Sequence, residues 1–302
     1  MALEAKKPTA SEDKLKMFVY GDKGVGKTLA VAQFPNAYLL DLEKGSKRYH
    51  KTLNNKGTVV LQTTSFDKVV EQIKSLMSTK HDYRTLIIDP ITVAYQDLQD
   101  KWNRLFERHA KTQKEQELQD FGPRYWGKVK GETRRLRRLL TDLDMNVIIT
   151  AHQKDLYGEN MTKLGVTFDS DVKDGYFFDF IFRLEKRGDK RFAVTEKKRE
   201  DLGTQIFPAE FEWSYENFCN FYGKDIVERA STPVPMASAV QVAEIERLLA
   251  IIKVSPDEIE KWLEKADADT VADLPEDRAT KMISFLRGKL DTVKGDLLEA
   301  KK

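Results

Sequence analysis

Gly21-x4-Gly26-Lys27-Thr28, inside VYGDKGVGKTLA at residues 19–30, has the composition and spacing of a phosphate-binding loop. Glycines let backbone N–H groups approach phosphate oxygens with no side chain between. A lysine at this position reaches the outer phosphates, and the hydroxyl after it suits Mg²⁺. Gly21, Asp22, Lys23, Gly24, Val25, Gly26, Lys27, Thr28 and Leu29 are therefore the expected nucleotide contacts. ATP and Mg²⁺ are the expected ligands. Asp89 ends TLIID, an apolar run suited to a central strand, and a carboxylate there faces bound phosphates and holds the metal through water.

Hydrolysis also needs a group that orients or deprotonates water. Many phosphate-loop ATPases place a glutamate directly after the metal-binding aspartate; here Pro90 follows instead. Glu43, after AYLLDL, is the best candidate, and the alternative is an acid on a surface loop. His152 ends NVIITAH, where a polar side chain could sense the γ-phosphate or serve as a structural hydrogen-bonder; Gln153 is the fallback. A guanine-specific site is not expected, because HQKD places its lysine out of register with Asn-Lys-x-Asp. Four histidines and one cysteine show no zinc-ligand spacing.

The elements that must carry these residues follow from periodicity. LKMFVY, AYLLDL, TVVLQT, TLIIDP and NVIITAH are β-rich runs separated by helical patterns, which predicts an α/β fold with a mostly parallel sheet. FDFIFRLE, RFAVTEK and AEFEWS follow closely on one another and read as added strands, including an antiparallel pair. A proline-containing break separates a core over 14–227 from a small helical module over 238–302, with a linker at 228–237 and a flexible tail at 1–13. Ser255 and Pro256 open one helix of that module.

The chain has 302 residues and a net charge of +2, so any nucleic-acid affinity must come from local patches. One cysteine rules out an internal disulfide framework and suits a reducing cytosol. No apolar run approaches the roughly 20 residues that span a bilayer. A cytoplasmic protein with no membrane partner is expected.

The order of phosphate loop, Glu43, Asp89 and a polar residue after VIITA resembles the RecA-like ATPase core. FPNAYLLDLEKG, TLIIDPIT and NVIITAHQK are similar more closely to the phage-encoded RecA-core ATPases that support single-strand annealing recombination. The likeness covers roughly residues 14–225 and implies a host-cytoplasm location. It also implies a RecA-like strand in RFAVTEKKREDLGTQIFP whose basic residues, in the region of Lys197, Lys198 and Arg199, reach a neighbouring subunit's ATP site. The alternative is a solvated basic turn.

The resemblance further implies two DNA-contacting loops. One follows His152 and carries Lys154, Lys163 and Lys173 among several aspartates. The other lies before an arginine-rich helix and carries Arg124, Tyr125, Trp126, Lys128 and Lys130, basic residues interleaved with aromatics as single strands prefer. The alternative is that Tyr125 and Trp126 pin that helix. The expectation is an oligomeric or filamentous ATPase that binds single-stranded DNA, with a single-stranded DNA-binding or annealing protein as a possible further partner. A replication accessory or helicase-loader switch with a protein partner is the alternative.

Overall fold

The computed structural model describes residues 14–110, 115–200, 206–229, 236–266, 268 and 270–299. The tail expected over 1–13 and most of the expected linker lie outside the described residues. Contacts divide the chain into two units. One takes in the described residues of Met1–Ile73 and His81–Thr232, the other those of Lys74–Lys80 and Pro233–Lys302.

In chain order the first unit runs β1 (Lys16–Gly21), α1 (Lys27–Val31), β2 (Ala37–Asp41), α2 (His50–Asn55), β3 (Val59–Gln62), α3 (Phe66–Ser78, whose residues from Lys74 onward count with the other unit) and β4 (Thr85–Asp89). It continues through α4 (Ile91–Ala110), α5 (Glu115–Asp142), β5 (Asn146–Tyr157), β6 (Lys163–Phe168), α6 (Asp174–Phe177), β7 (Phe180–Arg187), β8 (Lys190–Lys198), β9 (Glu210–Glu212), α7 (Tyr215–Tyr222) and α8 (Lys224–Val227). The strands form one sheet in the order β3-β2-β4-β5-β1-β7-β8-β9, with β6 pairing only the far half of β5. From β3 to β7 every pairing is parallel; β8 and β9 are antiparallel. The expected α/β architecture with a mostly parallel sheet is the one observed.

The sequence explains the layering. All five residues of β4 and the first six of β5 are buried, as a central parallel strand covered on both faces requires. One face packs Met17, Val19, Ile87 and Ile148 against Phe34, Phe207, Trp213 and Phe218. Phe182 lies at the centre of this aromatic group, with edge contacts to Phe207, Phe211, Trp213 and Phe218. Each such ring removes a large apolar area from water and adds about 0.5–1.5 kcal/mol per well-oriented pair. Ser214 caps α7 by accepting from the Asn217 amide.

Two expected loops are not loops. The stretch after Ala110 reappears as a helix, α5, that starts at Glu115 and runs unbroken into the arginine-rich segment. Tyr125, Val129, Leu136, Leu139, Leu140 and Leu143 recur at helical spacing and are all buried, so one apolar stripe outweighs the local Gly-Pro signal. The segment after His152 is a β-ribbon: β5 continues past the sheet and pairs antiparallel with β6 from Gln153↔Phe168 to Tyr157↔Lys163.

The second unit is helical: α9 (Ala239–Ile252), α10 (Pro256–Ala266) and α11 (Glu276–Glu299). Ile245, Leu248 and Leu249 pack with Leu274, Ala279 and Leu286. Ser238 and Gln241 form a reciprocal capping box at the start of α9, and Ser255 accepts from the Glu258 amide at the start of α10.

Candidate functional site

Parallel register gathers the polar strand ends at one edge of the sheet. Gly21 is level with His152, and Asp41 is level with Asp89. β5 separates the strand that enters the glycine loop from the strand that ends at Asp89. The cleft above this edge has a volume of about 540 Å³ and is lined by Asp22, Lys23, Gly24, Gly26, Lys27, Thr28, Glu43, Tyr49, Asp89, Pro90, His152 and Gln153. Of the expected loop residues, Asp22, Lys23, Gly24, Gly26, Lys27 and Thr28 line this cavity together with Glu43, Asp89 and His152, whereas Gly21, Val25 and Leu29 do not. Val25 is buried beneath it.

The loop's shape depends on its glycines. Gly26 has φ 98°, in the left-handed region that side chains resist, and a Cβ there would lie 2.3 Å from Arg191 Nε. Lys27 Nζ donates to the carbonyls of Gly21 (2.9 Å) and Asp22 (3.1 Å), which holds it across the loop mouth. Burial pulls the Lys27 pKa down, while the carboxylates of Asp89, Glu43 and Asp22 push it back up. Helix α1 is only five residues long, so backbone amides and Lys27 supply the anion-binding character with little help from a macrodipole.

Asp89 is buried, and burial raises its pKa; hydrogen bonds from Thr150 and Thr28 oppose that shift, and the Asp41 carboxylate adds to it. A hydroxyl and a carboxylate in contact beside a lysine are hard oxygen donors, which fits Mg²⁺. Among the described residues no three His, Cys, Asp or Glu side chains converge as a cation cage, so such an ion would draw further oxygens from phosphate and water.

Glu43 is positioned by a residue that sequence reasoning passed over. Asp41 is 1% exposed and turns away from the cleft to accept from the amides of Glu43 (3.3 Å), Gly45 (3.1 Å) and Ser46 (3.1 Å) and from the Ser46 hydroxyl. One carboxylate therefore fixes the whole turn. Glu43 Oε1 then lies 2.8 Å from His152 Nε2. Thr92, Thr150 and Arg191 were also missed. Arg191, on β8, donates from Nε to the Val25 carbonyl (3.0 Å) and braces the loop from below. These residues touch the site across long sequence gaps, which leaves no local pattern to read.

The remaining expected residues lie elsewhere. Lys197, Lys198 and Arg199 sit by Phe180, at the end of the sheet away from the glycine loop. All three are engaged within this chain. Lys197 Nζ donates to the carbonyls of Gly175 (2.8 Å), Tyr176 (3.1 Å) and Phe178 (2.6 Å), Lys198 to that of Phe207 (3.0 Å), and Arg199 pairs with Asp179 (2.8 Å).

On the ribbon Lys154 pairs with Asp169 (3.1 Å) and Lys163 with Asp155 (2.8 Å), while Lys173 is exposed. Leu156, Tyr157, Met161 and Leu164 are exposed between them.

Tyr125 requires a correction. It is buried, with its hydroxyl donating to the Gln99 carbonyl (2.8 Å), so it pins α5 to α4 and offers no open stacking face. Trp126, Lys128 and Lys130 are exposed on α5 together with Arg134 and Arg138. The Arg124 side chain lies outside the described residues.

No curated protein matches the chain. The crystal structure of the RadB recombinase is similar to it at 19% identity, over 61% of this chain and 80% of that one, with a TM-score of 0.34. The model of the family described as AAA domain matches residues 13–200, which includes every strand from β1 to β8 and the whole cleft. The chain therefore belongs to the AAA domain family, and its first unit is a nucleotide-hydrolysing ATPase domain.

Proposed function

We propose that the chain is a RecA-like, DNA-stimulated ATPase that binds single-stranded DNA and supports strand annealing or pairing, as phage recombination ATPases do. Residues 14–227 form its ATPase core and 238–302 a helical module joined by a linker at 228–237. It works in the cytoplasm, that of the host if phage-encoded.

The observation that carries this reading is the gathering of Lys27, Thr28, Asp89, Glu43 and His152 at one sheet edge, from which the ribbon departs at His152. Lys27 exchanges the Gly21 and Asp22 carbonyls for phosphate oxygens. Thr28 and Asp89 would hold Mg²⁺, which would supply neutralisation of charge on the outer phosphates. Glu43 orients water and takes its proton, and His152 holds Glu43 in place.

Single-stranded DNA lies along the exposed face of α5, where Trp126 provides stacking and Lys128, Lys130, Arg134 and Arg138 meet phosphates. Lys154, Lys163 and Lys173 on and beside the ribbon add to that field, Lys154 and Lys163 once released from their aspartates. In an oligomer or filament, Lys197, Lys198 or Arg199 reaches the neighbour's site after leaving its present partner.

The second reading is an accessory ATPase switch with a protein partner. It is favoured by the ribbon itself, whose lysines are paired while Leu156, Tyr157, Met161 and Leu164 are exposed.

Steady-state ATP hydrolysis measured with and without a single-stranded oligonucleotide, over a range of protein concentrations, separates the two. Stimulation that steepens with protein concentration supports the DNA-templated assembly. Hydrolysis indifferent to DNA throughout transfers the function to a protein partner.

A further inference from the structure

We infer that Thr92 is the positioning residue that ties the nucleotide site to the ribbon, an inference that rests on the nucleotide half of the reading above and not on its DNA half. Thr92 is fully buried in the first turn of α4, the helix that begins where β4 delivers Asp89. Its Oγ accepts from the His152 amide (3.0 Å) and donates to the Asp169 carbonyl (2.7 Å). Those two residues are the neck of the ribbon. The Asp169 amide donates to the His152 carbonyl (2.8 Å), and Gln153↔Phe168 is the next pair outward. One hydroxyl spends its only proton on one strand and a lone pair on the other, clamping both.

The same His152 faces the cleft. Its backbone is held by Thr92 while its imidazole lies 2.8 Å from Glu43 Oε1. Any occupant that draws Glu43 or His152 toward the phosphate position pulls on a residue whose amide is pinned to α4. A buried hydroxyl left without partners is costly, so the neck either moves together with the first turn of α4 or opens far enough for water to replace both bonds. Either way the ribbon's pose is biased by what fills the cleft, and by reciprocity the cleft is biased by what holds the ribbon. A surface loop with no such clamp would transmit neither.

The test uses the full chain, Thr92→Val and Thr92→Ser, with Mg²⁺ and a non-hydrolysable ATP analogue as the probe. The readout is the rate of tryptic cleavage at Lys154 and Lys163, which follows local opening when reclosing is fast. In the unmodified chain and in Thr92→Ser, the analogue is expected to change that rate by about tenfold, the factor that one buried hydrogen bond represents. Thr92→Val is expected still to bind the analogue while its cleavage rate no longer responds.

A Thr92→Val protein that responds like the unmodified chain overturns the inference. So does an unmodified chain that binds the analogue with no change in cleavage. If Thr92→Val does not fold, hydrogen exchange at the His152 and Asp169 amides of the unmodified chain decides: a change on adding the analogue supports the clamp, and constancy overturns it. A ribbon that responds to nucleotide in a chain that never binds a single-stranded oligonucleotide defeats only the DNA reading. Failure of the unmodified chain to bind the analogue defeats the nucleotide reading and this inference with it.

Discussion

Two carboxylates within one short turn are assigned different work by their surroundings. Asp41 is buried and saturated by donors from the backbone and Ser46, whereas Glu43 stands half-exposed at the cleft with His152 as its contact. Glu43→Gln keeps the hydrogen-bonding shape and removes the proposed base. Turnover is expected to fall by about 10²–10⁴-fold with ATP binding retained, as loss of general-base help predicts. A steady-state assay that finds turnover nearly unchanged assigns the water-orienting role elsewhere. Asp41→Ala acts one step removed. It leaves the buried Ser46 amide and hydroxyl without this partner and is expected to cost about 1–3 kcal/mol of stability. It also loosens the turn under Glu43, so kcat drops while KM for ATP stays close to its original value. A thermal melt and a kcat–KM comparison read the two effects separately.

Among the elements, the glycine loop shows how a neighbouring strand constrains a motif. Gly26 is required by its φ of 98°, while the Arg191 guanidinium that occupies the space of a Cβ is the far end of a flexible side chain that can give way. Gly26→Ala is expected to abolish tight nucleotide binding. Adding Arg191→Ala removes the contact at 2.3 Å but leaves the backbone penalty, about 1–3 kcal/mol for a side chain held at such a φ. The double variant is therefore expected to stay weak in a calorimetric titration. Full recovery of affinity would locate the constraint in the guanidinium alone. α5 is tied by its own contacts: Thr133 donates to Asp171 (2.9 Å) and Arg137 to Asp174 (2.9 Å). The arginine-rich run is thus not uniformly a solvated face; Arg137 anchors the segment that follows the ribbon, while Arg134 and Arg138 point outward.

For the whole molecule, one acid-sensitive contact lies in the helical unit. In the helical unit Glu244 accepts from Arg247 (2.8 Å) and Arg287 (3.0 Å), and these guanidinium groups hold its pKa down to about 2. A depressed carboxyl contributes stability that is present above its ordinary value of 4.5 and is lost as pH falls from there towards about 2. In the full chain, amide exchange in α9 and α11 is expected to accelerate across that window. Glu244→Gln is expected to flatten the dependence without altering the cleft. An unchanged acid profile in that variant would place the sensitivity in other groups.

The sequence by itself determined the chemistry at the phosphate edge and the kind of scaffold that carries it. The loop pattern, the apolar strands and their alternation with helical runs are all local signals. Parallel register then brings Gly21, Asp89 and His152 to one edge with no further instruction. Tertiary structure decided the rest, because those contacts join positions far apart in the chain. Arg191 reaches Val25 across 166 residues, and Thr92 meets Asp169 across 77. It also decided between loop and element. At Tyr125 a buried stripe put a helix where a loop was expected. After His152, antiparallel pairing of β5 with β6 turned a polar stretch into a ribbon, a contact that no local pattern in the chain specifies.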